Sequence, residues 1–149
     1  MKISGSFNLR ARREKIWEML MDPEVIARAI PGCEEFKAEG DDVFDSKLTI
    51  GIAAVKGTYA ARIALLDKNP PESFTLKVEG TGAHGFLNGD VSIRLQSLGE
   101  QTVLCYSAEN QIGGQIAAIG QRIMGPAAKV IIMKGFKSLE KQLAERQNR

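Results

Sequence analysis

The chain has 149 residues, of which 44% are hydrophobic and 26% charged, and its formal net charge is +2. This length can bury a core without staples, so we expect a single domain over residues 1–149. The small net charge and an aromatic content of 6% argue against a nucleic-acid-binding protein. Apolar runs such as residues 130–133 (VIIM) are far shorter than the ~20 residues of a membrane span. The N-terminus shows no export signal, and we therefore expect a cytoplasmic protein.

The two cysteines, Cys33 and Cys105, are far apart and have no partners at the spacing of metal ligands. They are expected to be free thiols in a reducing compartment. A structural zinc site is not expected, and no cofactor motif is present. Neither the phosphate-binding loop nor the dinucleotide-binding glycine pattern occurs in the sequence.

The N-terminal third predicts a strand followed by two short helices. Apolar residues alternate with polar ones up to Leu9, the period of a half-buried strand. Residues 12–21 then have one apolar side. Asp22 is a good helix cap and Pro23 a good first helical residue, so a second helix is expected to about Ile30. The pair Pro31-Gly32 ends it.

The middle of the chain predicts consecutive antiparallel hairpins. Turn residues separate the alternating segments, and no crossover helix lies between them, which disfavours a parallel sheet. The strands are expected over residues 34–39, 43–50, 55–66, 74–80, 91–95 and 102–108. Small residues are frequent in two of the hairpins, at 51–64 and 80–89. They imply a strongly curved sheet, with either tight backbone packing or an internal cavity beneath a helix.

The C-terminal stretch from Ile112 to Arg149 has helical spacing and is expected to pack on the sheet. One apolar stripe runs from Ile112 to Val130 and a second from Ile132 to Leu143. On one ideal helix the two stripes would lie on nearly opposite sides. Because proline disrupts a preceding turn but suits a first turn, we expect a short helix ending near Met124 and a longer one starting near Pro126.

Several local motifs, in this order, resemble the CoxG family of carbon monoxide dehydrogenase subunits, within the superfamily of START and Bet v 1-like proteins. The motifs are residues 30–34 (IPGCE), 55–59 (VKGTY), 69–72 (NPPE), 80–86 (GTGAHGF) and 111–114 (QIGG). The resemblance covers essentially the whole chain. It implies an α+β helix-grip fold, in which a curved antiparallel sheet of about seven strands wraps around a long C-terminal helix, with two short helices after strand 1.

The resemblance also implies a non-catalytic accessory protein of a molybdenum-hydroxylase-type carbon monoxide dehydrogenase. Such a protein would recruit the enzyme to the membrane or handle a lipophilic molecule such as a quinone. Many family members continue into a hydrophobic C-terminal segment that this sequence does not show. We therefore expect peripheral contact with the inner face of the membrane rather than permanent anchoring.

From these patterns we predict an apolar cavity for a quinone or a lipid between the sheet and the C-terminal helices. The residues expected to line it are Leu48, Ile63, Leu76, Phe86, Tyr106, Ile112, Ile116, Ile119, Ile123 and Val130. The alternative is a cyclase- or dehydratase-type enzyme that uses His84, the only histidine, or Glu109 as its acid–base group. A protein-interaction module is a third hypothesis.

The basic residues of the last helix, Lys129, Lys134, Lys137 and Lys141, have two interpretations. A charged, solvated helix face is the usual meaning of such a run. The other interpretation is a membrane surface that uses the lysines against anionic lipid while neighbouring apolar residues enter the bilayer.

Overall fold

The computed structural model describes residues 2–52 and 55–147, and for Gln121 only the backbone. Ala53 and Ala54, part of the small-residue segment noted above, lie outside the described residues. The elements in chain order are β1 (Lys2–Leu9), α1 (Arg13–Leu20), α2 (Pro23–Ala29), β2 (Cys33–Gly40), β3 (Val43–Ile50), β4 (Gly57–Asn69), β5 (Ser73–Gly82), β6 (Gly85–Leu98), β7 (Gln101–Gly114), a 3₁₀ helix (Gln115–Ile119) and α3 (Gln121–Gln147).

Within the described residues, seven strands form one sheet in the order β1-β7-β6-β5-β4-β3-β2, and every neighbouring pair is antiparallel. The two short helices follow β1, and the long helix α3 follows β7. This arrangement confirms the predicted helix-grip architecture. It arises because each hairpin has a short polar turn, whereas parallel neighbours would require crossover helices.

The alternation read from the sequence determines which side of each strand faces the helix. On β5, Phe74 is buried whereas Lys77 is exposed, and on β7 Leu104 is fully buried whereas Glu109 is exposed. The helix cap is also confirmed, because the Asp22 side chain accepts a hydrogen bond from the Glu24 amide at 3.0 Å. Pro23 is the first residue of α2, as predicted.

The main core lies at the end of the molecule where α1, α2 and the second half of α3 meet the sheet. Aromatic pairs join the layers: Phe7 stacks on Phe136 with ring centroids 4.7 Å apart, and Trp17 meets Phe74 edge-on at 5.5 Å. The buried members of this core are Leu9, Ala11, Ile16, Met19, Leu20, Val25, Phe74, Ile93, Leu95, Leu104, Leu139 and Leu143.

The predicted division of the C-terminal stretch is wrong in two respects. Ile112 lies in β7, and the helix α3 begins only at Gln121, after changes of direction at Gly114 and Gly120, whose φ angles are 77° and 85°. The helix then continues through Pro126 without ending. Pro126 lies in the second turn, where it removes one backbone hydrogen bond, and the packing of the long helix on the sheet outweighs that loss.

Strand ends also differ from expectation. β4 begins at Gly57 rather than Val55, and β6 starts at Gly85 rather than Val91. β7 extends six residues beyond Ala108, to Gly114. The additional residues of β6 and β7 include glycines and polar residues, so they show little of the alternation that marks a strand in sequence.

Candidate ligand cavity

An apolar cavity of about 140 Å³ lies between the inner face of the sheet and the first half of α3. Strands β3 to β7, the residue Val55, the 3₁₀ helix and α3 all contribute to its wall. The lining residues are Leu48, Ile50, Val55, Tyr59, Ala61, Val78, Gly80, Leu87, Asn110, Ile116, Met124, Ala127, Ala128 and Ile131.

The cavity exists because small residues face each other from the sheet and from the helix. Ala61 and Gly80 are direct cross-strand partners on β4 and β5, and Ala127 and Ala128 lie on α3. A methyl group built on Gly80 would meet only the Leu87 carbonyl oxygen, at 3.7 Å. Gly80 therefore has space above it, and larger residues at these positions would fill that space.

A second apolar cluster closes the cavity at the end away from the main core. Its buried members, Val55, Ile116 and Met124, come from three separate segments of the chain. Tyr59 holds this closure together, because its hydroxyl donates a hydrogen bond to the Val55 carbonyl at 2.6 Å. Burial raises the pKa of the Tyr59 hydroxyl, which keeps it a neutral donor.

The chemistry available inside the cavity is that of apolar binding. Among the described lining residues none is charged, and side-chain polar atoms come from Tyr59 and Asn110 alone. Asn110 lies directly over Gly89, its cross-strand partner, whose missing side chain leaves room for the amide. Such a wall can hold a lipophilic molecule, and its described residues include no carboxylate, imidazole or amine side chain.

The structure places the predicted lining residues in three different environments. Leu48 and Ile116 line the cavity, and Ile112 and Ile119 pack against the cluster that closes it. Others lie in the packed interior beyond the cavity: Ile63 and Leu76 adjoin Phe36 and Phe44, and the Tyr106 ring lies 5.4 Å from Phe136.

The remaining three predicted residues are largely exposed and do not line the cavity. Phe86 is 42% exposed and covers Gly113, since its position on β6 turns it to the outer face of the sheet. Ile123 and Val130 are 50% and 44% exposed on the solvent side of α3. Ile123 and Val130 face solvent because α3 turns Met124, Ala128 and Ile131 towards the sheet. The side of the helix that lines the cavity therefore differs from the predicted one.

Sequence reasoning missed several lining residues, chiefly the small ones. Ala127 and Ala128 form the helix side of the wall, and Gly80 forms the sheet side. The small residues in the segments 51–64 and 80–89 indicated either a cavity or tight backbone packing. Only the register of Ala61 against Gly80 shows that the small residues coincide.

The proposed acid–base residues do not reach the cavity. His84 is exposed in the turn between β5 and β6, with its Nδ1 3.1 Å from the Gln115 side-chain oxygen. Glu109 is on the outer face of β7 and forms an ion pair with Lys2 at 3.4 Å. The geometry therefore gives no support to the enzyme hypothesis based on these two residues.

The two cysteines and the potential metal ligands do not form a reactive site in the described residues. Cys33 and Cys105 are free and half-buried, and burial raises the pKa of the Cys33 thiol, which disfavours the thiolate. In the part of the chain that the structure describes, no group of three His, Cys, Asp or Glu side chains could hold a metal ion.

The sheet order, the long C-terminal helix and the cavity between them define a START-like helix-grip protein. Two solved structures agree. A START superfamily protein from Mycobacterium smegmatis has a TM-score of 0.71 at 14% identity, over 97% of each chain. A conserved protein from Geobacillus kaustophilus has a TM-score of 0.95 at 40% identity, over 97% of this chain and 96% of its own.

A family model identifies the chain more narrowly than the fold does. The family model for CoxG, a subunit of carbon monoxide dehydrogenase, matches residues 5–144, and the chain belongs to this family. No functionally curated protein matches the chain at a significant level. Among the described residues, no helix combines the length and the hydropathy needed to cross a bilayer.

Proposed function

We propose that this protein binds a lipophilic small molecule, a quinone or a lipid, in the cavity beneath α3 and acts without catalysing a reaction. The observation that carries the proposal is the wall itself, which is aliphatic on both sides with Tyr59 and Asn110 as its polar side chains. A buried apolar space gives a lipophilic ligand most of its binding free energy, and a few polar groups orient it.

The size of the cavity limits which ligands it can hold in this conformation. A space of about 140 Å³ is close to the ~150 Å³ of an apolar cavity that accepts benzene and well below the ~300–1,000 Å³ of typical ligand sites. A single quinone ring or one segment of an acyl chain fits this volume. A complete lipid requires the first half of α3 or the closing cluster around Val55 to move outward.

The family suggests the setting in which such a ligand is used. CoxG belongs by name with carbon monoxide dehydrogenase, and we propose that this chain serves an enzyme of that molybdenum-hydroxylase type at the inner face of the membrane. Copurification of the tagged chain with the large subunits of such an enzyme tests this part. Recovery of the chain alone from cells that make the enzyme would contradict it.

Ligand binding is tested directly by organic extraction of the purified protein and mass spectrometry, followed by titration with decylubiquinone. We expect bound lipophile in the extract and saturable binding of the added quinone. Gly80→Leu fills the space above Gly80 and is expected to abolish both signals. Thr75→Leu adds a similar side chain to the outer face of the same strand and serves as the control.

Two outcomes would contradict the proposal. One is a protein that contains no lipophile and does not bind decylubiquinone. The other is Gly80→Leu protein that is folded by circular dichroism and binds as well as the original chain, because binding would then occur outside the cavity.

A further inference from the structure

An apolar strip runs along the solvent side of the first half of α3. It consists of Ile123, Pro126, Val130 and Met133, which recur at intervals of three and four residues and so share one helix face. Ile123 is 50% exposed, Val130 44% and Met133 46%. These are three of the six large hydrophobic residues that are exposed in the described part of the chain, and they are adjacent.

Positive charges accompany this strip. Arg122, Lys129, Lys134 and Lys137 are all exposed along or just beyond the stretch of helix that carries the strip, and the first acidic residue in α3 is Glu140. Among the described residues none of these four cations has an acidic partner. The second half of α3 differs, since Glu145 and Arg146 form ion pairs with α2 and its cap.

We propose that the strip and its four cations form a docking surface for an anionic phospholipid membrane. This inference deepens the proposed function, on which it rests, by naming the surface from which the lipophilic ligand enters. Apolar side chains enter the boundary between headgroups and acyl chains, and lysines on the polar flanks attract anionic lipid.

The charges decide between a membrane and a second copy of this chain. A symmetric dimer through the strip would bring Lys129, Lys134 and their neighbours against the same cations of the partner molecule, and like charges in contact are costly. An anionic bilayer suits both the apolar side chains and the cations, because it has apolar chains below a negatively charged surface.

The position of the strip connects docking to the cavity. Met124, Ala127, Ala128 and Ile131, on the sheet-facing side of the same half-helix, form the helix part of the cavity wall. In the described residues, the side-chain hydrogen bonds from α3 to other elements all come from positions 138–147. In its described residues the first half is therefore held to the sheet by apolar packing, and contact with lipid can replace part of that packing when the wall moves.

Vesicle flotation tests the docking surface with two kinds of vesicle, phosphatidylcholine alone and phosphatidylcholine mixed with phosphatidylglycerol. The original chain is expected to float with the anionic vesicles and much less with the neutral ones. Lys129→Gln combined with Lys134→Gln is expected to weaken binding to anionic vesicles about 30-fold. Val130→Ser combined with Met133→Ser is expected to weaken it by about tenfold or more.

Matched controls change equally exposed residues elsewhere. Leu66→Ser combined with Leu98→Ser removes two exposed leucines, and Lys37→Gln combined with Lys77→Gln removes two lysines of the sheet. Both controls are expected to bind vesicles like the original chain. Because every substituted residue is exposed, folding is not at risk, and thermal unfolding verifies this for each variant.

The result that overturns the proposal is equal flotation of the strip variants and the controls, or no flotation of the original chain. A chain that binds decylubiquinone but not vesicles refutes the docking surface and leaves the carrier function intact. A Gly80→Leu variant that floats normally but binds no quinone supports the surface while showing that it acts independently of an occupied cavity. A strip variant that changes the sedimenting mass but not vesicle binding identifies a dimer contact and also overturns it.

Discussion

The Tyr59 ring packs directly against Gly82, its cross-strand partner, so closely that a methyl group on Gly82 would lie 2.8 Å from a ring carbon. From this position the Tyr59 hydroxyl reaches the Val55 carbonyl at 2.6 Å. Because Gly82 has no side chain, the Tyr59 ring can lie close to the backbone of the sheet. Its hydroxyl then holds the segment that precedes β4 against the sheet. One side of the cavity is closed by this pair of contacts.

Removing the hydroxyl should loosen that closure. Tyr59→Phe is expected to lower the free energy of unfolding by about 1 kcal/mol, because the half-buried carbonyl of Val55 loses its donor. Urea denaturation measures the change. Tyr106→Phe is the matched control, and a loss as large as that of Tyr59→Phe would show that the bond to Val55 has no special contribution.

Tyr59 should also make the stability of the protein depend on pH in the alkaline range. Burial raises the pKa of Tyr59 in the folded protein above its usual value, so the unfolded chain releases this proton first. The stability contributed by neutral Tyr59 is complete below about pH 10 and is lost as the pH rises through the folded pKa. We expect a smaller alkaline loss of stability in Tyr59→Phe, measured by denaturation between neutral and alkaline pH. Identical slopes in both proteins would contradict this.

Two glycines on the inner face of β5 should respond oppositely to the same substitution. Gly82→Ala is expected to cost about 1–3 kcal/mol, because the new methyl group collides with the Tyr59 ring. Gly80→Ala is expected to be neutral or to stabilise by up to about 1 kcal/mol, since its methyl group enters the cavity. Thermal unfolding of the two variants side by side tests this. Equal losses would argue against an empty space above Gly80.

The main core predicts a larger effect. Leu104 is fully buried between β7 and the helices, and Leu104→Ala is expected to cost about 2–5 kcal/mol through lost burial and the cavity it leaves. Leu98→Ala, at a position 56% exposed, should stay within about 0.5 kcal/mol of the original chain. Chemical denaturation of both variants measures the difference. A mild effect of Leu104→Ala would mean that the core can collapse around the missing side chain.

The proline inside α3 gives a stabilising prediction. Pro126 has no N–H, so the Arg122 carbonyl lacks its helical donor. Pro126→Ala restores this hydrogen bond and places a residue of higher helix propensity in α3. We expect a gain of about 1–2 kcal/mol in the free energy of unfolding, after allowance for the greater freedom of the unfolded chain. Calorimetry tests the sign. A loss would show that the ring of Pro126 itself packs against something the helix needs.

Most of the fold could be predicted from sequence because its signals are local. Alternation in residues 43–50 predicted β3 with its observed ends, Val43–Ile50, and the Asp22-Pro23 pair predicted the start of α2. The glycine-rich parts of β6 and β7 gave no comparable pattern, and their extent was underestimated. Those segments are strands because neighbouring strands offer hydrogen bonds to them, which is a tertiary effect.

For the cavity, the sequence predicted the kind of wall but few of its members. Leu48 and Ile116 lie in the wall of the cavity, whereas Ile123 and Val130 are exposed. A helical stripe has a period but no absolute direction. The packing of α3, which places Met124, Ala128 and Ile131 against the cavity, decides which side of the helix faces the sheet.

By itself, then, the sequence determined the order of elements, the inner and outer sides of the strands and the apolar character of the interior, since periodicity and turn residues encode all three. Only the tertiary structure decided that α3 is continuous through Pro126, that Gly80 lies opposite Ala61, and that His84 stays outside the cavity. These features depend on the register between strands and on the packing of α3, which bring together residues far apart in the chain.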